Sequence, residues 1–194
     1  MIIKNIFNFK FSNEKKINKK SVKLYSILVE HARKEEFYIC AGIPDSLDGR
    51  FENILLHYFF LYYGFRKVGL KNSEVLKSVL DIMFNDFDSN LRELGVGDLK
   101  IGKKIYQMSE AYRGRIKAYD FAANKGDEEI GNVLKRNLYG TVPIIKEHLV
   151  NQMVRYFKDS LNINKFGSIN YDEVIVEKMY FPNPKKYFFN EKCK

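Results

Sequence analysis

The sequence predicts an all-α fold: a single compact multi-helix domain around a central apolar helix at about residues 50–68, with basic flexible ends. Three observations predict it. An almost unbroken apolar and aromatic run extends from Ile54 to Tyr63, apolar residues recur at helical spacing through most of the rest, and the 194 residues include only four Pro and 12 Gly. We expect a basic tail over 1–20, the helical domain over 21–180 and a second basic tail over 181–194.

The central helix has a polar start and an apolar body. Ser46 or Asp48 can cap its first amides, and Gly49 reduces steric crowding in the turn before the helix. A helix that is apolar on every side must be surrounded by other helices or by lipid. A membrane span needs about 20 apolar residues, and the shorter run here is bracketed by Arg50 and Arg66. We therefore expect other helices to surround it.

The remaining helices follow from spacing and end signals. Ser21 begins a helix that reaches about Ala32, and 74–94 carries a narrow apolar stripe (Leu76, Leu80, Met83, Phe84, Phe87, Leu91 and Leu94). Gly95 is the expected C-cap and Asp98 the expected N-cap of the next helix, over about 98–124. A helix over 127–139 follows, and Thr141 with Pro143 is expected to start another that ends near 159. Residues 160–170 are expected to be loop, and 171–180 is compatible with strand or helix.

The net charge of +9 is concentrated at the ends of the chain. Residues 1–23 carry +6, residues 178–194 carry +4, and the part between them is nearly neutral. Tails of this kind suit anionic lipid or RNA phosphates rather than a DNA-binding groove, and no DNA partner is expected. The predicted membrane or ribosome contacts are Lys4, Lys10, Lys15, Lys16, Lys19 and Lys20. The alternatives are a frayed tail and a lysine content that follows an AT-rich genome.

The sequence lacks the motifs of common enzymes. It contains no phosphate loop, dinucleotide fingerprint, H-E-x-x-H or G-x-S-x-G. His31, His57 and His148 are isolated, and a hydrogen-bonded core histidine is the preferred interpretation of His57. Cys40 and Cys193 form no C-x-x-C pair, so reduced thiols in a cytoplasmic compartment are expected. We predict no catalytic residues, no metal and no cofactor.

The charged residues of the predicted helix over 74–94 favour structural roles. Asp86 and Glu93 lie about 10 Å apart along a helix axis, too far for one metal ion. Asp88 and Arg92 are expected to pair on the surface, and Arg50 to pair with Asp86 across a helix interface. Gly114, inside a helix, indicates either close helix packing, which we favour, or a ligand surface.

Several runs together resemble the ubiquinol–cytochrome c chaperone family. They are EFY (36–38), GIPDSLDGRF (42–51), MFNDFD (83–88), LRELGVGD (91–98), YD (119–120) and RNLYG (136–140), with FPxP (181–184) similar to the end of bacterial members. The resemblance implies a non-enzymatic assembly factor for ubiquinol–cytochrome c reductase, respiratory complex III, that holds newly made cytochrome b. It also implies the ribosome, the membrane and a small partner protein as partners. The absence of a long N-terminal targeting extension favours a bacterial-type member, cytoplasmic and peripheral on the inner face of the cytoplasmic membrane.

Charged and polar residues within these runs, with Gly49 and Phe51 beside them, are the predicted client or partner contacts. They are Asp45, Asp48, Gly49, Arg50, Phe51, Asp86, Asp88, Arg92, Glu93, Asp98, Tyr119, Asp120, Arg136, Asn137 and Tyr139. Two alternative functions remain. One is a ribosome- or RNA-binding helical module. The other is a helical protein that binds quinone or lipid, which requires a preformed cavity near His57, Arg50 or Asp86.

Overall fold

A computed structural model describes residues 19–71, 73–163 and 180–188. The described chain forms seven α-helices and one 3₁₀ helix: α1 (Lys19–Ala32), α2 (Glu35–Ile39), α3 (Leu47–Lys67), α4 (Glu74–Glu93), α5 (Asp98–Lys125), α6 (Asp127–Arg136), α7 (Glu147–Ile163) and the 3₁₀ helix (Pro184–Lys186). No strand occurs within these ranges. The all-α prediction is confirmed.

Helix α3 is the centre of the fold. Every residue from 51 to 61 is buried, and α1, α5 and α7 pack against the helix. Ser46 caps its start, since the Ser46 hydroxyl accepts a hydrogen bond from the Gly49 amide at 3.1 Å. Gly69 (φ +83°), two residues after Lys67, terminates the helix. The amides of Gly69 and Leu70 donate back to the carbonyls of Arg66 and Phe65. The central helix was therefore predicted correctly.

Helix α4 ends in the same way at Gly95, which has a φ of +73°. The amides of Gly95 and Val96 bond to the carbonyls of Arg92 and Leu91, so Gly95 terminates the helix as predicted. The apolar stripe is buried except at Leu80, which is partly buried, and at its end, where Leu94 is 69% exposed. Asp98 is the first residue of α5 and Gly97 occupies the N-cap position, contrary to the expectation for Asp98.

Helix α7 begins later than the sequence predicts. Thr141 and Pro143 do not start it, and the helix runs from Glu147 to Ile163. Val142 and Ile145 pack against the core from irregular backbone, and burying these β-branched side chains does not require helical geometry there. Because α7 continues to Ile163, the first residues of the expected loop at 160–170 are helical.

Residues 180–188 differ most from expectation, because the sequence predicts that a basic tail begins at 181. Phe181 and Phe188 are buried instead, with the 3₁₀ helix between them. The Phe181 ring lies 4.9 Å from the His31 ring and 5.0 Å from the His57 ring. Aromatic burial outweighs the basic composition of this segment. The predictions for 1–18, 164–179 and 189–194 concern residues outside the described ranges.

Two further findings bear on the sequence predictions. Cys40 is disulfide-bonded, so the expectation of reduced thiols is wrong. None of the helices in the described ranges is long and apolar enough to cross a membrane.

Candidate functional site

The predicted contact residues at the start of α3 lie on the surface and pair locally. The Arg50 Nε donates to Asp45 Oδ1 at 2.6 Å, and this hydrogen bond lowers the pKa of Asp45. Asp48 lies 3.4 Å from the Lys104 ammonium on α5. The predicted pair between Arg50 and Asp86 is wrong, because Arg50 binds the acid five residues before it and Asp86 has other donors.

Two predicted contact residues in the same run are buried and structural. A Cβ added at Gly49 would lie 2.0 Å from the Pro44 carbonyl oxygen, so only glycine fits beside this turn. The Phe51 ring packs edge-on against Phe87 at 5.3 Å and joins α3 to α4. These residues shape the start of α3 and present no side chain to a partner.

Asp86 ties α4 to α1. Its carboxylate accepts a hydrogen bond from the Tyr25 hydroxyl at 2.8 Å and lies 3.3 Å from the Arg33 guanidinium. Burial and the Asp86 charge raise the pKa of Tyr25, which therefore keeps its proton and remains a donor.

The corner between α4 and α5 is held by Arg92. Its guanidinium donates to Asp88 at 2.6 Å, as predicted, and also to Asp98 in the first turn of α5. Asp98 thus fixes the position of the α5 N-terminus through its side chain although it does not cap the helix. Glu93 beside them is exposed.

The predicted contact residues between 119 and 139 lie mostly in the interior. Tyr119, Asn137 and Tyr139 are buried, and the Tyr139 hydroxyl donates to the Ala41 carbonyl at 3.0 Å. Asp120 pairs with Arg66 at 2.7 Å, whereas Arg136 is exposed. Only the charged members of this group reach the surface.

The sequence analysis missed a half-buried ion pair between α3 and α5. The Arg115 guanidinium holds both oxygens of Glu52, with its closest contact at 2.8 Å. Desolvation raises the pKa of Glu52, and Arg115 acts in the opposite direction. An acid at the start of an otherwise apolar helix is a signal that a cation must be near it. Nothing in the sequence indicates which of the distant arginines it is.

A buried polar cluster was also missed, since His31 and His57 are not isolated from each other. Both Nε2 atoms lie near the Tyr156 hydroxyl, at 3.0 Å from His31 and 2.7 Å from His57. The His57 Nδ1 lies 2.7 Å from the Asn53 carbonyl, so this nitrogen carries the proton and the His57 Nε2 accepts from Tyr156. The Tyr156 oxygen then accepts from the His31 Nε2–H. His57 is thus a hydrogen-bonded core histidine, as predicted.

Desolvation keeps both imidazoles of this cluster neutral. It lowers the pKa of His31 to about 2 and that of His57 to about 4. The rings of Phe37, Phe60 and Phe181 lie 5.0–5.7 Å from His57 and fill the space beside it. The quinone-pocket hypothesis requires a cavity near His57, and the packed rings do not support it. The described titratable groups are arranged for folding: they are paired, buried neutral or exposed.

Comparisons with known proteins agree on one family. The family model described as Ubiquinol-cytochrome C chaperone matches residues 40–177. The human ubiquinol-cytochrome c reductase complex assembly factor 1 is 23% identical over 153 residues, which cover 76% of this chain and 51% of the human protein. The Xenopus laevis assembly factor 1 is 22% identical over 126 residues, or 65% of this chain and 63% of that protein. This chain spans between half and two thirds of the length of these curated relatives.

The fold is also found in a solved structure. The crystal structure of the Cbp3 homolog from Brucella abortus superimposes with a TM-score of 0.73 at 22% sequence identity, covering 96% of this chain and 99% of that one. The two chains share the same fold.

Proposed function

This chain belongs to the ubiquinol–cytochrome c chaperone family, and from that membership we propose that it is an assembly factor for ubiquinol–cytochrome c reductase, respiratory complex III. The observation that carries the proposal is the match over residues 40–177, which contains α3 and two of the helices packed on it, α5 and α7. The names of the human and Xenopus relatives support it. A protein that holds a client needs a binding surface and no reactive centre, which is compatible with the paired and neutral groups described above.

The client in this proposal is newly made cytochrome b. The exposed members of the predicted set form its contact surface: Asp45, Asp48, Arg50, Arg92, Glu93, Asp98 and Arg136. The buried members, such as Gly49, Tyr119 and Tyr139, act by shaping the helices that carry this surface. A small partner protein is a further component of the proposal.

The proposed location is the inner face of the cytoplasmic membrane. Lys4, Lys10, Lys15 and Lys16 fall outside the described residues, whereas Lys19 and Lys20 begin α1. We propose that these lysines bind anionic lipid or ribosomal RNA with an affinity that falls as salt rises. Removing residues 1–20 should then weaken co-sedimentation with liposomes and ribosomes; unchanged co-sedimentation would contradict this role.

The function is tested in a strain that lacks the gene. Reduced-minus-oxidised spectra and ubiquinol–cytochrome c reductase activity should show a selective loss of cytochrome b, with the other respiratory complexes intact. The gene supplied in trans should restore both. Normal complex III in the deletion strain would overturn the proposal.

The contact surface is tested with variants that preserve the fold. Glu93 and Arg136 are exposed and make no ion pair within the described part of the chain. The variants Glu93→Lys and Arg136→Glu should be made at normal levels and should lower cytochrome b in the complemented strain. Lys23→Glu, at an exposed position of α1, is the matched control and should complement fully. Full complementation by both site variants would remove these positions from the surface.

A further inference from the structure

Helix α5 has a long outer face that no described element covers. The helix has 28 residues, which is about 42 Å. Leu99, Tyr106 and Phe121 are 94%, 41% and 54% exposed. At about 100° per residue these three positions fall within a sector of about 60°. Three large apolar side chains therefore form one line along the solvent side of the helix.

Lysines accompany this line. Lys103 and Lys117 lie within it, and Lys100 and Lys125 lie beside it. None of these four makes an ion pair within the described ranges, whereas Arg113 pairs with Glu110 and Lys104 with Asp48. The Lys125 ammonium lies 5.4 Å from the centre of the Phe121 ring. The outer face of α5 is thus a positive surface within a part of the chain, residues 24–177, that is nearly neutral as a whole.

Two glycines flank the same face. A Cβ added at Gly102 or at Gly114 would meet no atom within 4 Å, so close helix packing does not explain either glycine, and the preference for packing at Gly114 is wrong. Glycine is disfavoured in a helix interior. The ligand-surface explanation of Gly114 remains, because an exposed backbone allows a flat partner to approach closely.

We propose that the outer face of α5 docks on an anionic phospholipid bilayer, with the helix axis parallel to the membrane plane. Lysines gain from the surface potential of anionic lipid, and leucine and aromatic rings gain from burial at the headgroup–acyl boundary. RNA would also attract the lysines, but it offers no apolar phase for Leu99. The proposal stands independently of the assembly function, because it concerns lipid binding by the isolated protein.

The first test uses tryptophan, which the natural chain lacks. Leu99→Trp and Phe121→Trp each introduce a single reporter at opposite ends of the line, about 33 Å apart along the helix. With vesicles of phosphatidylcholine and phosphatidylglycerol, both should show blue-shifted emission and quenching by brominated lipid. Ile144→Trp, at an exposed position before α7, is the control and should show neither. Quenching at only one end of α5, or equal quenching in the control, would overturn the proposed orientation.

The second test measures vesicle affinity in the full chain. Lys103→Glu with Lys117→Glu should weaken binding to anionic vesicles by about 30-fold or more, because each lysine near such a surface contributes about fivefold. Lys71→Glu with Lys146→Glu makes the same change in net charge at exposed positions outside α5 and should reduce affinity far less. Equal losses in the two pairs would show that net charge alone acts and would overturn the proposal. Loss of RNA binding with unchanged vesicle binding would assign the face to RNA instead.

Discussion

The Tyr156 hydroxyl lies between two imidazoles, and its one proton determines the direction of the network. It donates to His57, which donates to the Asn53 carbonyl, and it accepts from His31. Charging His57 would place its Nε2–H against the Tyr156 hydroxyl, which already donates to that nitrogen. Helical periodicity predicted that His57 is buried. It could not predict Tyr156 as the partner, because that residue is 99 positions away.

The first prediction concerns pH. In the fold the pKa of His57 is lowered to about 4 and that of His31 to about 2, against about 6.5 in the unfolded chain. The unfolded chain therefore binds more protons below pH 6.5. The stabilisation is fully present above pH 6.5 and is lost as pH falls towards 4 and below. Urea titrations between pH 7 and pH 5 should show a fall of about 1 kcal/mol per pH unit for each histidine.

A pair of variants separates these histidines from other titrating groups. His31→Gln keeps a donor towards Tyr156 and removes one titrating group, so it should roughly halve the slope. His148→Gln, at an exposed position of α7, is the matched control for the substitution itself. An undiminished slope in His31→Gln would show that other groups cause the pH dependence.

The second prediction compares two glycines. Gly49→Ala should destabilise the fold by at least about 1–3 kcal/mol, because the new Cβ would overlap the Pro44 carbonyl oxygen at 2.0 Å. Gly114→Ala should stabilise it by about 1 kcal/mol, because its Cβ would meet nothing within 4 Å. Denaturant unfolding of the two variants measures both changes. A destabilising Gly114→Ala would reveal a contact at that position.

Among the elements, the long helices follow from the sequence and the short packed segments do not. Periodicity and glycine end signals predicted α3, α4 and α5 with ends within a few residues. Pro143 predicts a helix start, although Val142 and Ile145 are packed from irregular backbone. The tail predicted from 181 rests on the two prolines of 181–184 and on the +4 charge of 178–194. Their anchors, Phe181 and Phe188, show no periodicity, and their sites are assembled from distant helices.

The third prediction tests the docking of 180–188. Phe181→Ala should lower the free energy of unfolding by about 3–5 kcal/mol, because the ring is buried against His31 and His57. Tyr180→Ala is the neighbouring control; this side chain is 58% exposed, and its loss should change stability by about 0.5 kcal/mol or less. Similar small effects of both variants would mean that the segment contributes little to the core.

For the molecule as a whole, sums of charge along the chain located the basic ends but not the basic face. The part between the ends is nearly neutral because its acidic and basic residues are almost equal in number. Some of them pair across helices, as Glu52 does with Arg115 and Asp120 with Arg66. Such pairs depend on which helix faces meet, and a one-residue error in a helix changes each face by about 100°. For the same reason the sequence analysis paired Arg50 with the wrong acid.

The fourth prediction links the α5 surface to the proposed function in cells. In the deletion strain, Lys103→Glu with Lys117→Glu should leave the protein at normal levels, because both lysines are exposed and unpaired within the described residues. It should move the protein from the membrane fraction to the soluble fraction. It should also lower cytochrome b, because the protein would then bind cytochrome b away from the bilayer. A membrane anchor fused to this variant should restore cytochrome b if docking is the only property lost. Full cytochrome b with a soluble variant would show that assembly does not need the docking, and failure of the anchored variant would show that these lysines also contact the client.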